Sequence, residues 1–158
     1  MQLTIAALGR LGSGPETQMI ADYQKRLQAA PASIGPLTII DHDIKKKLEG
    51  EKRQKAEGDW LLSTAPKGAT LIAMDERGKA LSSRKFASLL TQLRDEGVRD
   101  VAFLIGGADG HLPEIRQQAH HTLSLGPLTL PHMLARVVLS EQLWRAAAIA
   151  SGHPYHRD

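Results

Sequence analysis

Short runs rich in isoleucine, valine and leucine alternate along this chain with longer segments in which apolar residues recur at helical spacing. That alternation predicts an α/β domain whose sheet is mostly parallel and covered on both faces. Strands are expected over residues 2–8, 37–41, 70–74 and 101–104, and a fifth over part of 123–130. A first helix should start at Pro15, capped by Ser13 or Gly14 with Glu16 facing its positive end, and stop near residue 29 ahead of Pro31. A second is predicted over 44–63, a third from Ser82 or Ser83 to Gly97 as the residue beyond its end, and a short fourth from Pro113.

The last predicted helix, over 134–150, differs from the others. Val137, Val138, Leu139, Leu143, Trp144, Ala147, Ala148 and Ile149 make it apolar nearly all round, where a surface helix would carry a single stripe. One face is expected to meet the sheet and another a partner subunit, with Glu141 and Arg145 paired one turn apart. No internal repeat, low-complexity tract or linker divides the chain, so its 158 residues are read as a single domain.

Hydrophobic residues make up 42% and charged residues 23%, ordinary values for a globular protein, and no apolar run approaches the roughly 20 residues of a membrane span. The amino terminus reads as a strand rather than a signal peptide, and a cytoplasmic location is expected. Cysteine is absent, which removes disulfides, thiolate metal sites and every mechanism with a cysteine nucleophile. A net charge of +3 mildly favours an anionic partner. Lys45, Lys46, Lys47, Lys52, Arg53 and Lys55 crowd the second helical segment among three glutamates, forming either a solvated face or a phosphate-contacting surface. With only two each of Phe, Trp and Tyr, recognition of a nucleic acid through shape and phosphates fits better than an aromatic stacking platform.

Candidate chemistry gathers at predicted strand ends, where open α/β sheets bind ligands. Phe103-Leu104-Ile105 runs into Gly106, Gly107 and Gly110, which lets backbone approach a ligand closely, and Ala73-Met74-Asp75 ends the third strand. Near the fifth lies Gly126-Pro127-Leu128-Thr129-Leu130-Pro131-His132. Its two prolines fix φ and lack N–H donors, so the segment between them is extended and its amides and carbonyls need partners. A flat heterocycle such as adenine would pair with that backbone under Met74, Leu128 and Leu130; a plain structural loop is the alternative. By contrast Gly9, Gly12 and Gly14 are spaced G-x-x-G-x-G, not as a dinucleotide-binding turn, and read as a loop. Neither a P-loop nor a G-x-S-x-G nucleophile turn occurs.

Past a helix stop at Gly152, His153-Pro154-Tyr155-His156-Arg157-Asp158 packs four groups able to bind phosphate or move protons into one short tail. His120, His121, His153 and His156 do not form a metal pattern: cysteine and an acidic cluster are lacking, and no metal is expected.

Taken in order, Leu104-Ile105-Gly106-Gly107-x-x-Gly110, Leu128-Thr129-Leu130-Pro131-His132, Arg136-Val137, Glu141-Gln142-Leu143-x-Arg145-Ala146 and His153-Pro154-Tyr155-His156-Arg157 strongly resemble the ribosomal RNA large subunit methyltransferase H family. The likeness spans essentially the whole chain and departs from the family pattern at Ala108-Asp109 and Gly126-Pro127. It implies a SPOUT fold, a mostly parallel five-stranded sheet with a carboxyl-terminal trefoil knot, which composition and period do not reveal. It further implies a homodimer that binds S-adenosyl-L-methionine through Met74, Gly107, Gly126, Pro127, Leu128, Thr129, Leu130 and Pro131. The expected activity is methylation of N3 of a pseudouridine in 23S ribosomal RNA, on the assembled ribosome.

Transfer to a ring nitrogen needs neither metal nor covalent enzyme intermediate, but the N3 proton must leave. His132, His153, Tyr155, His156 and Arg157 are the candidates to assist, with no choice of base among them, and Arg136 joins Arg157 in positioning RNA. The tail is expected to close over the partner subunit's cofactor site. A transfer RNA substrate and a non-catalytic ribosome-assembly module are the rival readings.

Overall fold

The computed structural model describes residues 1–30, 33–44 and 48–156. Five strands, β1 (Gln2–Leu8), β2 (Leu37–His42), β3 (Thr70–Ala80), β4 (Asp100–Ile105) and β5 (His121–Ser124), form one sheet in the order β2-β1-β4-β3-β5 with every pairing parallel. Between and after them run α1 (Pro15–Gln28), α2 (Gly50–Thr64), α3 (Ser83–Asp95), α4 (Pro113–Gln118) and α5 (His132–Ser151).

The two-residue period of the strands sorts their side chains into two cores. Leu3, Ile5 and Ala7 of β1 and Val101, Phe103 and Ile105 of β4 share one core with Leu27 of α1, Phe86 and Leu90 of α3, and Leu139 and Leu143 of α5. Ala6, Leu8, Ala102 and Leu104 point the other way, against Leu61 of α2 and Ile115 of α4. The result is three layers, with α1, α3 and α5 on one face and α2 and α4 on the other. Each fully buried Leu, Ile or Phe contributes about 1.5–3 kcal/mol, so the central strands β1 and β4 anchor the domain.

Four boundaries differ from the sequence expectation. β3 continues past Met74 to Ala80; its polar extension carries no alternation, pairs with β5 alone, and shifts register between Met74 and Lys79. β5 lies earlier than expected, at His121–Ser124, because Pro127 and Pro131 cannot donate to a ladder. α2 begins at Gly50, whose φ of +54° breaks the run from residue 44. Lys45, Lys46 and Lys47 lie outside the described residues. Finally, α5 starts at His132 and is packed between α1 and α3 over the first core. Much of the apolar surface expected to face a partner is therefore covered within the chain, although Leu134 is left 42% exposed. Among the described residues no helix is long and apolar enough to cross a membrane.

Candidate active site

The middle of β3, from Met74 to Arg77, and the carboxyl ends of β4 and β5 open into one cavity of about 890 Å³. That is within the usual size of small-molecule sites. Met74, Gly107, Gly126, Pro127, Leu128, Thr129, Leu130 and Pro131 all line it, so three segments far apart in sequence meet there, with His132 at the start of α5 beside them. Gly126, at φ +120°, turns the chain out of β5, and its N–H and carbonyl both bond the Ser124 hydroxyl at 3.1 Å. Beyond it the backbones of Leu128, Thr129 and Leu130 make no hydrogen bond to another described residue. Donors and acceptors are thus presented at a cavity wall between two prolines, on a segment that bends at Pro127 and Leu128 where the sequence predicted extended backbone. Leu128, expected to cover a bound ring, is 79% exposed.

The opposite wall carries charge. Asp75 Oδ1 accepts from Arg77 N at 2.9 Å, and Oδ2 accepts from Arg116 Nη1 at 3.4 Å. Arg116 Nη1 also donates to the His111 carbonyl at 2.6 Å. His111 is buried beneath the glycine turn, its Nε2 3.0 Å from the Leu104 carbonyl, a bond in which only the ring nitrogen can donate. Burial pulls its pKa below the ordinary histidine value, against the raising influence of the Leu104 carbonyl and Asp75. Neither His111 nor Arg116 stood out in the sequence, although His111 directly follows the glycine turn.

From sequence, a side chain at Gly107 is expected to invade ligand space. The structure fills that space differently: a Cβ there would lie 2.7 Å from Oε1 and 2.8 Å from Cδ of Glu57, a buried residue of α2. Arg53 Nε donates to Glu57 Oε1 at 2.8 Å, and Gln54 Nε2 to the Asp109 carbonyl at 2.7 Å. One face of α2 thus grips the turn that lines the cavity.

Arg136 has a different place from the RNA-facing one expected. It is fully buried, and Nη2 donates to the carbonyls of Leu8 and of Gly9, the latter at 2.6 Å. Burial lowers its pKa, with Asp41 opposing, and its side chain ties the end of β1 to the start of α5. It is a strut between β1 and α5, the helix whose first turn borders the site.

The tail folds back on its own α5. Tyr155 Oη donates to Glu141 Oε1 at 3.0 Å, its ring lies 4.9 Å from the Arg145 guanidinium, and Trp144 stacks at an angle beside it. Arg145 Nε donates to the same Glu141 oxygen at 3.0 Å, the pair expected one turn apart, while Gln142 Nε2 donates to the other oxygen at 2.7 Å. Arg145 Nη1 lies 3.3 Å from His156 Nδ1, and His153 packs edge-on to Trp144. Burial, a hydrogen bond with Tyr23 and the Glu141 charge push the Tyr155 phenol well above its ordinary pKa. Arg157 lies outside the described residues. From Ala135, the last residue of α5 to line the cavity, to Glu141 the helix rises about 9 Å at roughly 1.5 Å per residue, so the tail cluster sits more than a turn beyond the cavity.

A cavity made of three strand-end loops, ahead of a terminal helix and tail, is the frame against which known proteins compare. The family model described as "Predicted SPOUT methyltransferase" matches residues 1–156. The chain belongs to the SPOUT methyltransferase family. It is 45% identical to the ribosomal RNA large subunit methyltransferase H of Paramagnetospirillum magneticum, over 99% of each chain. It is 47% identical to the protein of that name from Dinoroseobacter shibae, again over 99% of each. A solved structure titled as a putative methylase family protein from Neisseria gonorrhoeae aligns at a TM-score of 0.48 and 11% identity, covering 90% of this chain and 80% of that one. As a family member the chain is a methyltransferase with the five-stranded parallel α/β sheet its sequence implied.

The methyl donor implied for such an enzyme fits the residues present. Unpartnered amides and carbonyls at 128–130 suit an adenine edge, and the cavity has the size for a nucleoside-bearing cofactor.

Proposed function

We propose that this SPOUT methyltransferase uses S-adenosyl-L-methionine to methylate N3 of a pseudouridine in 23S ribosomal RNA, working as a cytoplasmic homodimer on the assembled ribosome. The observation that carries the reading is the meeting of Met74, Gly107 and the 126–131 segment in one cavity with His132 at its edge. The names of relatives at 45–47% identity supply the class of RNA.

S-adenosyl-L-methionine supplies a sulfonium-bound methyl group ready for in-line attack by nitrogen. The chain's own work is to hold the base and manage the N3 proton. Leu128, Thr129 and Leu130 would hold the cofactor through backbone, with Gly107 and Met74 closing the other sides. His132 borders the place where the base must enter. Tyr155, with its phenol pushed up, serves as a donor rather than a base, which leaves His132, His153 and His156 to take the proton. Arg145 and Arg157 supply positive charge near the tail.

Because the tail docks on its own α5 at Glu141, about 9 Å along the helix from Ala135, the last residue of α5 to line the cavity, the tail is assigned to the cavity of a second copy. Mass mapping of ribosomal RNA from a deletion strain tests the reading. A pseudouridine should lose one methyl group and regain it when the gene is returned; a methyl group that persists in the deletion strain overturns it.

A further inference from the structure

Glu57 has no place in the proposed chemistry, yet it is only 3% exposed and sits on α2 directly under the glycine turn. One carboxylate oxygen is occupied by Arg53, at 2.8 Å. The other, Oε2, is buried with no hydrogen-bond partner. A buried charged acceptor left unmet is costly, and a native chain keeps one only where some state of the molecule satisfies it. The carboxylate lies against the open side of Gly107, where a Cβ would come within 2.8 Å of its Cδ. Around it the turn is closed by Gly110 N to the Gly107 carbonyl at 3.0 Å and is held to α2 by Gln54 at the Asp109 carbonyl. The turn is therefore fixed at its far end and free to settle at Gly107.

Resting on the reading of this cavity as the methyl donor's site, we infer that Glu57 is a positioning residue for the cofactor turn. Its free oxygen is the seat for a backbone N–H of the 107–109 segment when cofactor is bound. Arg53 holds the carboxylate aimed, and Gly107 has no side chain because the seat must lie against the backbone. Cofactor loading is thereby linked to α2, whose outer face carries Lys52 and Lys55.

The test uses full-length wild type, E57Q and E57A, with S-adenosyl-L-methionine as probe in calorimetry and amide hydrogen exchange, and methyl transfer to ribosomes lacking the modification. In wild type, cofactor should slow exchange at residues 107–109. E57Q has the same shape but a single acceptor oxygen for two donors, so it should bind cofactor roughly tenfold more weakly and lose that protection. Its KM for cofactor should rise while kcat at saturating cofactor stays within about threefold, a split that general loosening of the fold would not give. E57A should be at least as weak; should it fail to fold, the isosteric E57Q decides. E57Q affinity within twofold of wild type, with protection intact, overturns the role of Glu57 and leaves the cofactor reading standing. Wild type that binds no cofactor overturns both.

Discussion

The cofactor cavity and the tail cluster are built by opposite means. At the cavity, glycines and prolines set backbone, and the groups on offer are amides and carbonyls of 128–130. At the tail, side chains do everything: the Glu141 carboxylate accepts from Tyr155, Arg145 and Gln142. Backbone recognition suits a ligand that is always the same, since its geometry is fixed once by φ and ψ. Side-chain groups suit a large RNA, whose phosphates and bases are met by charged and polar donors. The difference teaches that the two sites should fail separately.

Removing the tail after Gly152 should break the comparison most sharply. Methyl transfer should fall roughly 1,000-fold, since several proton-handling and positioning groups are lost together, each worth about 100-fold or more. Cofactor affinity in calorimetry should stay within about threefold. Mixing this truncation with a chain disabled at Gly107 should restore activity, because an intact tail on one chain would meet an intact cavity on the other. A mixture as inactive as both parents would sink the assignment of the tail to a second copy.

The reciprocal change is Gly107→Val. Its branches would collide with the Glu57 carboxylate and push the turn into the cavity, so cofactor affinity should fall roughly 100-fold, in line with overpacking costs of about 1–3 kcal/mol. Docking of the tail on α5 should be untouched, as read from Trp144 fluorescence. Unchanged cofactor affinity would remove Gly107 from the site.

This contrast also explains what the sequence made legible. β1, β2, β4 and α1 could be placed because short apolar runs such as that from Leu3 to Leu8 and a cap at Gly14 before Pro15 are local signals. The segments at 106–110 and 126–131 could be found because glycine and proline announce unusual backbone, whereas Ala73-Met74-Asp75 was noticed only as an expected strand end, although β3 runs on to Ala80. The polar extension of β3 could not, because the bulge past Met74 is imposed by pairing with β5. Glu57 was invisible for a related reason, since a charged residue on a helix reads as solvent-facing until the turn packed over it is known, and nothing local marks His111, in the loop before α4, as buried. Arg136 was legible as a site candidate, but its burial was not, since nothing local says that a guanidinium will turn inward to the carbonyls of Leu8 and Gly9.

A smaller effect separates the tail's anchor from its chemistry. Glu141→Gln keeps the shape but weakens charge-assisted bonds from Arg145 and Tyr155, so the tail should sample undocked positions. Methyl transfer should drop about tenfold with cofactor affinity unchanged. Equal loss in both measurements would mean that the two sites are coupled through α5.

The smallest effect is on stability and again lands on one site only. His111 is held neutral under the glycine turn, its folded pKa lowered by burial. In the unfolded chain it takes a proton near its ordinary value of about 6.5. Stability from this group is thus complete above that value and is lost as pH falls from it toward the folded pKa, because the unfolded state then binds the extra proton. The slope should be at most about 1.4 kcal/mol per pH unit, or roughly 3–6 °C in Tm for a chain of this length. His111→Gln retains an N–H for the Leu104 carbonyl and has nothing to titrate, so its acid limb should be flatter by one proton while its Tm above pH 7 stays close to wild type. Amide exchange should show the acid loosening first in the glycine turn, with the tail's Glu141 cluster still closed. An acid limb as steep in the variant as in wild type would show that the proton is taken up elsewhere and that His111 is not what holds the cavity's floor.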